Sequence, residues 1–405
     1  MTVLIIGGGA SGLMAAITAK KFAPQVRVVI AERLDRVGKK ILATGNGRCN
    51  FSNLNATTAN YHGKMPSFVS NALKEFTVAD TVNFFNEIGV FPREERDGRL
   101  YPYSLQASAV LDALRLKCEA LDIEILPNKN VKEINVKKGA LKAVFDSGEG
   151  LSADRVILAA GGCASPALGS DGSGFEILKK LGHGISRLSP ALVQVRTDLK
   201  PIKGLSGIKI EGAALLLQGD KVLGSESGEI LFTDYGLSGP PIFQLSALMP
   251  FKKDMAISLD LMSEYPLRQV YDILEGRKKA LSDLTMENFF NGLLNKRLGN
   301  LIARAAGIEK LSFKVGALDR DMLWSLARLI KDYRITVTGL NGFKNAQVTA
   351  GGALTEQFSP YTMQSKFIEN LYCCGEIFDI HGDCGGYNLQ WAWSSGYLAG
   401  KNAVQ

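Results

Sequence analysis

The residues able to do chemistry begin within the first ten positions. Gly7-Gly8-Gly9-Ala10-Ser11-Gly12 carries glycines at the spacing G-x-G-x-x-G, and Glu32 follows about twenty residues after Gly12. This spacing serves a phosphate. Gly7 permits a tight turn, Gly9 lets backbone amides approach a pyrophosphate, and Gly12 lets a helix pack closely on a strand. Ala10 leads into that helix, which starts at Ser11 and whose N-terminus offers unpaired N–H groups and a partial positive charge. Glu32 is placed to accept hydrogen bonds from a ribose diol, which favours FAD or NAD over NADP. A second group follows in Gly38-Lys39-Lys40-Ile41-Leu42-Ala43-Thr44-Gly45-Asn46-Gly47-Arg48-Cys49-Asn50. There Gly45 and Gly47 free the backbone, and Arg48 either pairs with phosphate or holds the loop. A third group stands near the C-terminus: Gly375-Glu376, His381 and Gly385-Gly386-Tyr387-Asn388. His381 is the histidine closest to a cofactor motif, and an imidazole can transfer protons near neutral pH. A loop histidine in water explains it equally well. Tyr101, Tyr103 and Tyr387 are further candidates for a substrate side, and Tyr103 joins His381 as a candidate catalytic residue.

These residues need elements to position them. Val3 to Ile6 reads as a strand covered on both faces, Ser11 to Phe22 as a helix, and Val26 to Ala31 as a second strand. Met65 to Gly89 reads as a helix, and Val90 to Tyr103 as a hairpin turning at Asp97-Gly98. Ser104 is a plausible N-cap for the helix through Cys118. Ile123 to Leu126 is another strand. Val131 to Val136 and Leu141 to Phe145 form an antiparallel pair around Lys138-Gly139. A buried strand then ends in Ala159-Ala160-Gly161-Gly162, and Gly169 to Gly174 turns into a helix. This order, with a meander crossing between parallel strands, points to the FAD-binding version of the fold. From Ser189 the character changes to β-rich (190–261) and then helical (262–333), with Pro266 suited to a first helical turn. Arg334 to Leu340 and Phe343 to Ala350 are expected to form a hairpin around Asn341-Gly342. Phe367 to Glu376 gives a last strand, and a helix runs from Asn388 to Gly400. Trp391 and Trp393 read as core, and Gly396 and Gly400 suit close packing.

The expected fold is α/β: an FAD-binding Rossmann-like domain, a parallel sheet with a crossing β-meander, interrupted by a β-plus-helical insert. Residues 1–189 and 336–405 form the cofactor domain and 190–335 an inserted cap. The chain has 405 residues, 46% hydrophobic and 21% charged, with a net charge of +7. These values describe an ordinary soluble protein large enough for two or three cores. Six cysteines without a C-x-x-C, and three histidines, give no zinc signature and no disulfide framework. No metal is expected. The apolar N-terminus lacks a basic leader and is accounted for as strand and helix, and no stretch has the purity of a membrane span. A cytoplasmic location without membrane contact is the expectation.

Three separated blocks resemble one family: the glycine turn with Glu32, the run from Gly38 to Asn50, and Gly375-Glu376 with Gly385-Gly386-Tyr387-Asn388-Leu389-Gln390. Phe232-Thr233 and Gly236-Leu237-Ser238-Gly239-Pro240 agree as well. The sequence is similar to the aminoacetone-oxidase-like FAD-binding enzymes, relatives of bile-acid flavin reductases, within the glutathione-reductase-like flavoproteins. The resemblance implies FAD held by both ends of the chain and capped by the insert. It implies Glu32 on the adenosine ribose, the Thr44–Asn50 loop along the cofactor, and Val131 at the adenine. Gly375 and Glu376 would sit at the ribitol and pyrophosphate, and the helix opening at Asn388 would face the flavin N1–C2=O edge. Arg33, Lys39, Ala160, Gly161, Gly162, Gly386, Tyr387 and Leu389 complete the candidate cofactor set. The implied activity is an FAD-dependent oxidoreductase acting on a small organic molecule, an amine or an unsaturated carbonyl compound. NAD(P)H stands open as electron donor, although no second dinucleotide fingerprint is visible. Two alternatives remain: an RNA-associated flavoprotein that binds tRNA through basic residues such as Arg268, Arg277, Lys296 and Arg304, and a flavin-binding protein without turnover. The basic residues have acids near them, so a solvated helical face explains them about as well, and a nucleic-acid partner is disfavoured. Oligomeric state is not readable.

Overall fold

A computed structural model describes residues 1–137, 140–250 and 252–405. The expected Lys138-Gly139 turn lies outside them. The described chain divides into two compact units, one of Met1–Pro190 with Phe343–Gln405 and one of Ala191–Gly342.

The first unit is built on a parallel sheet of β1 (Thr2–Ile6), β2 (Arg27–Ala31), β3 (Glu124–Leu126), β4 (Arg155–Leu158) and β5 (Leu371–Cys373), in the order β5-β4-β1-β2-β3. All four pairings are parallel. Val3, Leu4 and Ile5 of β1 are wholly buried, as a central parallel strand requires. The helix α1 (Ala10–Phe22) follows the glycine turn, and α2 (Tyr387–Asn402) is the C-terminal helix. Strands 131–137, 140–145 and 150–153 form the antiparallel meander between β3 and β4. The β5 strand comes from the end of the chain, so the sheet is closed by residues some 365 positions from β1.

Several local expectations need correction. The segment 65–89 is two helices, Val69–Glu75 and Val78–Glu87, because Thr77 caps the second. Its hydroxyl accepts from the Asp80 amide while Asp80 receives the Thr77 N–H, a Thr-x-x-Asp version of the capping box. Ser104 is not a cap, since the following helix starts at Ala107 after Gln106. The polar stretch 33–53 holds a one-turn helix, Lys39–Ala43. The hairpin around Asn341-Gly342 does not form. Strand 333–340 pairs with 255–260 and 195–197 in the second unit, whereas strand 348–350 belongs to the first. The hairpin at Asp97-Gly98 is present, pairing 92–94 with 99–102.

The second unit contains a closed barrel whose described strands run in the order 195–197, 236–238, 221–232, 209–218, 255–260, 333–340. Helices Leu267–Ala280, Lys296–Ala305 and Arg320–Lys331 pack their apolar faces into the same core through Leu274, Ile302 and Leu326. Pro266 is the cap residue of the first of these helices rather than its first turn. No described helix is long and apolar enough to cross a membrane.

Candidate functional site

The glycine turn is held by contacts that only glycine allows. Gly7 has φ +103, and a Cβ there would lie 2.5 Å from the Ala159 carbonyl oxygen. A Cβ on Gly12 would lie 2.0 Å from the Gly7 oxygen, so helix and turn meet backbone to backbone. Gly9 is different: nothing lies within 4 Å of its Cβ position. It caps α1 with extended backbone and no side-chain bond, and the first turn holds no acid. The helix therefore opens on bare amides around Gly9, Ala10, Ser11 and Gly12, with Lys20 and Lys21 at the opposite end. This is the arrangement that attracts an anion.

Glu32 is buried beside this turn. One carboxylate oxygen accepts the Gly8 N–H at 2.9 Å and the other the Leu34 N–H at 2.8 Å. A carboxylate has about four acceptor sites, so it keeps capacity for a diol. The segment carrying Val131 lies alongside, because the Lys129 amide donates to the Glu32 carbonyl and the Asn128 amide to the Leu34 carbonyl.

The three sequence blocks converge on α2. Gly396 and Gly400 let this helix lie on α1, their Cβ positions falling 2.5 Å from the Ser11 oxygen and 2.3 Å from the Ala15 oxygen. The two helices run parallel in this contact. Gly396 matches the start of α1, so the start of α2 extends about eight residues, or about 12 Å, beyond it. That second helix start is also uncapped. Gly386 precedes it with φ +100, without a side-chain bond and without an acid in the first turn. The loop 50–53 is clamped to the same end: the Trp393 indole donates to the Phe51 carbonyl, Ser52 to Gln390, and Asn53 to the Gly385 carbonyl. Trp391 donates to the Gly375 carbonyl, and the Gly375 amide to Ser395. Both tryptophans are core, and each also fixes a loop.

The side chain of Asn388 is committed within the protein. It receives the Gly382 N–H and donates to the carbonyls of Gly382 and Asp383, so at this position the helix start offers its backbone. Gly386 is not simply an open approach either. Its Cβ would strike the Ser52 oxygen at 2.3 Å.

Other candidates separate. Glu376 bonds Lys40 at 2.6 Å and the Thr349 amide at 2.9 Å, and the Thr349 hydroxyl accepts from the amides of Cys163 and Ala164. Gly162 fits here because its Cβ would lie 2.4 Å from that hydroxyl. Gly161 has φ +72, and Ala160 packs its methyl near Gly174. Lys39 pairs with Asp35 and Arg33 with Asp171. Lys40 and Thr349, which stand outside the candidate set read from the sequence, are the residues bonded to Glu376. Lys40 is distinguished from Lys39 only by its place on the helical turn, and Thr349 by no local signal. Arg48 pairs with Glu95 at 3.3 Å and lies over the Tyr101 ring at 4.5 Å, which is the loop-holding role. Thr44 donates to the Ile41 carbonyl. Gly45 would meet the Asn50 amide at 2.7 Å with a Cβ. Cys49 is wholly buried, and burial pushes its thiol up to about 12. The Asn50 side-chain oxygen is buried without a partner, and it lies 2.9 Å from the Gly386 Cβ position. Tyr103 is 63% exposed, its ring beside Phe91 and Arg93. The structure does not join it to His381.

His381 is not a loop residue in water. It is 5% exposed, in a short strand that pairs with His62, and neither ring nitrogen has a hydrogen-bond partner. Burial, with His62 adding to it and Asp383 opposing, brings its imidazole down to about 4. That burial favours the neutral form of the ring. His62 stands 5.4 Å away, ring to ring, and is held by Asp383 at 2.7 Å.

These features fit FAD. Two bare helix starts offset along one direction suit an extended cofactor with negative charge at two places. The free acceptor sites of Glu32 suit a ribose, and the orphaned Asn50 oxygen suits a donor on the ligand.

A family model described as HI0933-like protein Rossmann domain matches residues 1–402. The 3-dehydro-bile acid delta(4,6)-reductase of Clostridium scindens is 38% identical, covering 99% of this chain and 98% of its own. The ribosomal RNA dihydrouridine synthase of Escherichia coli is 28% identical, covering 99% and 97%. Among solved structures, E. coli quinol fumarate reductase FrdA aligns with a TM-score of 0.52 at 15% identity, covering all of this chain and 70% of that one, which speaks to fold alone. The matched family, the glycine turn on a parallel sheet and the meander agree: the chain belongs to the HI0933-like family, with the FAD-binding type of Rossmann fold.

Proposed function

We propose that this protein is an FAD-dependent oxidoreductase that saturates a carbon–carbon double bond conjugated to a carbonyl in a small organic molecule. The observation that carries the substrate class is the 38% identical relative. Its name describes a reductase of double bonds in a 3-ketone, and Δ4,6 bonds are conjugated to that ketone. The 28% identical relative points to the same bond type, since dihydrouridine is uridine whose 5,6 double bond, conjugated to a carbonyl, has been saturated.

FAD, when bound, supplies the two-electron chemistry. In this reading Glu32 accepts from the adenosine ribose, the amides of Gly9 to Gly12 take the pyrophosphate, and the backbone at Val131 meets the adenine. The backbone at the start of α2 faces the flavin edge and favours negative charge there on reduction. Glu376, with Lys40 and Thr349, shapes the wall between them. His381 and Tyr387 line the substrate side. Residues 191–342 set substrate choice, and a nicotinamide nucleotide is the electron donor. Cys373 and Cys374 are wholly buried, and burial raises both thiols.

A second reading places the double bond in a uracil of RNA, favoured by the dihydrouridine synthase relatives. The basic residues of the second unit offer it little support: Arg268 pairs with Asp272, Lys296 with Glu287, and Arg277 caps the carbonyls of Phe289 and Asn291. Incubating the reduced protein with a 3-oxo-4,6-diene bile acid and, separately, with unmodified ribosomal RNA decides between them. Mass spectrometry should find the ketone with one double bond saturated. Dihydrouridine in the RNA without any reduced ketone would reverse the choice.

A further inference from the structure

His381 presents a problem that the fold alone does not solve. A neutral imidazole always carries one N–H donor and one acceptor. Here both ring nitrogens are buried without partners, which leaves the donor's desolvation uncompensated. The neighbouring polar groups are committed elsewhere. The Nε2 of His62 is held by Asp383 at 2.7 Å, the Asn388 amide by Gly382 and Asp383, and the Tyr61 hydroxyl by the Tyr387 carbonyl at 3.0 Å. The residue next to His381, Gly382, is bonded to the side chain at the start of α2. The unpaired imidazole therefore sits one residue from the segment that fixes the flavin-facing helix.

We propose that His381 is a catalytic residue acting as an uncharged hydrogen-bond donor to the substrate's carbonyl oxygen, which rests on the reading of the protein as a reductase of conjugated ketones. Saturating such a double bond adds a hydride at the β-carbon, from the reduced cofactor, and a proton at the α-carbon, drawn from solvent water. Between these additions the electron pair rests on the carbonyl oxygen as an enolate. A buried N–H aimed at that oxygen strengthens as charge builds there, as oxyanion donors do. An imidazolium would be costly at this depth, so the ring polarises the carbonyl without surrendering its proton. His62 and Asp383 hold the ring's surroundings, and the substrate supplies the missing acceptor.

The test compares wild type with His381→Gln, which keeps a neutral N–H donor, and His381→Leu, which has none. FAD content and thermal melting are matched first, and His381→Phe, which also lacks a side-chain donor, replaces the leucine variant should that one not fold. Two readouts are taken with a 3-oxo-4,6-diene bile acid: the rate at which it reoxidises the anaerobically reduced protein, and the carbonyl stretch of the compound bound to the oxidised protein by difference infrared spectroscopy. Wild type and His381→Gln should shift the stretch to lower frequency and react within about tenfold of each other. His381→Leu should lose the shift and about a hundredfold or more in rate, the usual loss for one oxyanion donor. A leucine variant that keeps both the shift and the rate overturns the inference. So does one whose flavin spectrum and midpoint potential change without substrate, because the donor would then serve the cofactor. Wild-type protein that the ketone fails to reoxidise overturns the reductase reading itself.

Discussion

Glu32 already accepts two backbone hydrogen bonds, from Gly8 and Leu34, and that double duty sets the effect of replacing it. Glu32→Ala should weaken FAD binding by tenfold or more, since a hydrogen bond to a charged group is worth about 1.5–3 kcal/mol. It should also lower stability by about 1–3 kcal/mol, because the buried Gly8 donor loses its acceptor. Equilibrium dialysis and urea unfolding check the two parts, and unchanged affinity in a folded variant would remove Glu32 from the ribose. His381 gives a pH signature. Its folded value near 4 lies below the ordinary 6.5, so between those values the unfolded chain binds the proton and the folded chain does not. Its contribution to stability is present above pH 6.5 and is lost as pH falls toward 4, by about 3 kcal/mol in all. Wild type should lose stability against His381→Gln across that window, and parallel curves would contradict the assignment. At this scale much was legible. Gly7, Gly12 and Glu32 follow from spacing, but whether Lys39 or Lys40 reaches Glu376 depends on a single helical turn. Thr349 enters only because the chain returns to the first unit after some 150 residues.

Between elements, the contact of α1 with α2 is the joint that brings the two ends of the chain to one site. Gly400→Val would place a branched side chain against the Ala15 carbonyl, whose oxygen lies 2.3 Å from the Cβ position. It should cost about 1–3 kcal/mol or more and lower FAD content together with stability. Gly276→Ala is the contrasting case. Gly276 lies inside helix Leu267–Ala280 with nothing within 4 Å of its Cβ position, so alanine should stabilise by about 0.5–1 kcal/mol. Thermal melts of both variants check the pair, and a neutral Gly400→Val would mean the helices do not touch there. The element pattern was readable wherever it was local, as in the glycine turn, the Asp97-Gly98 hairpin and the meander. It failed at Asn341-Gly342, where a good turn dipeptide joins strands whose partners lie elsewhere. Strand 333–340 finds neighbours on both sides in its barrel, and no local pattern carries that information. The break at Thr77 was legible in Thr77-Val78-Ala79-Asp80 but was outweighed by the long run of apolar residues at helical spacing.

For the molecule as a whole, one unit carries the cofactor motifs and the other a barrel with helices, each with its own core. The chain carries seven more basic than acidic residues, and several of its basic residues pair with acids, for example Lys209 with Glu229 and Lys331 with Asp260. The central claim is that this fold turns over a conjugated ketone through FAD. It is tested most directly by reducing the purified protein anaerobically and adding a 3-oxo-4,6-diene bile acid while following the visible flavin band. The band should return, one double bond of the diene should be saturated per flavin oxidised, and the cofactor released on denaturation should be FAD. A band that stays bleached in the presence of the ketone, or a released cofactor other than FAD, would contradict it.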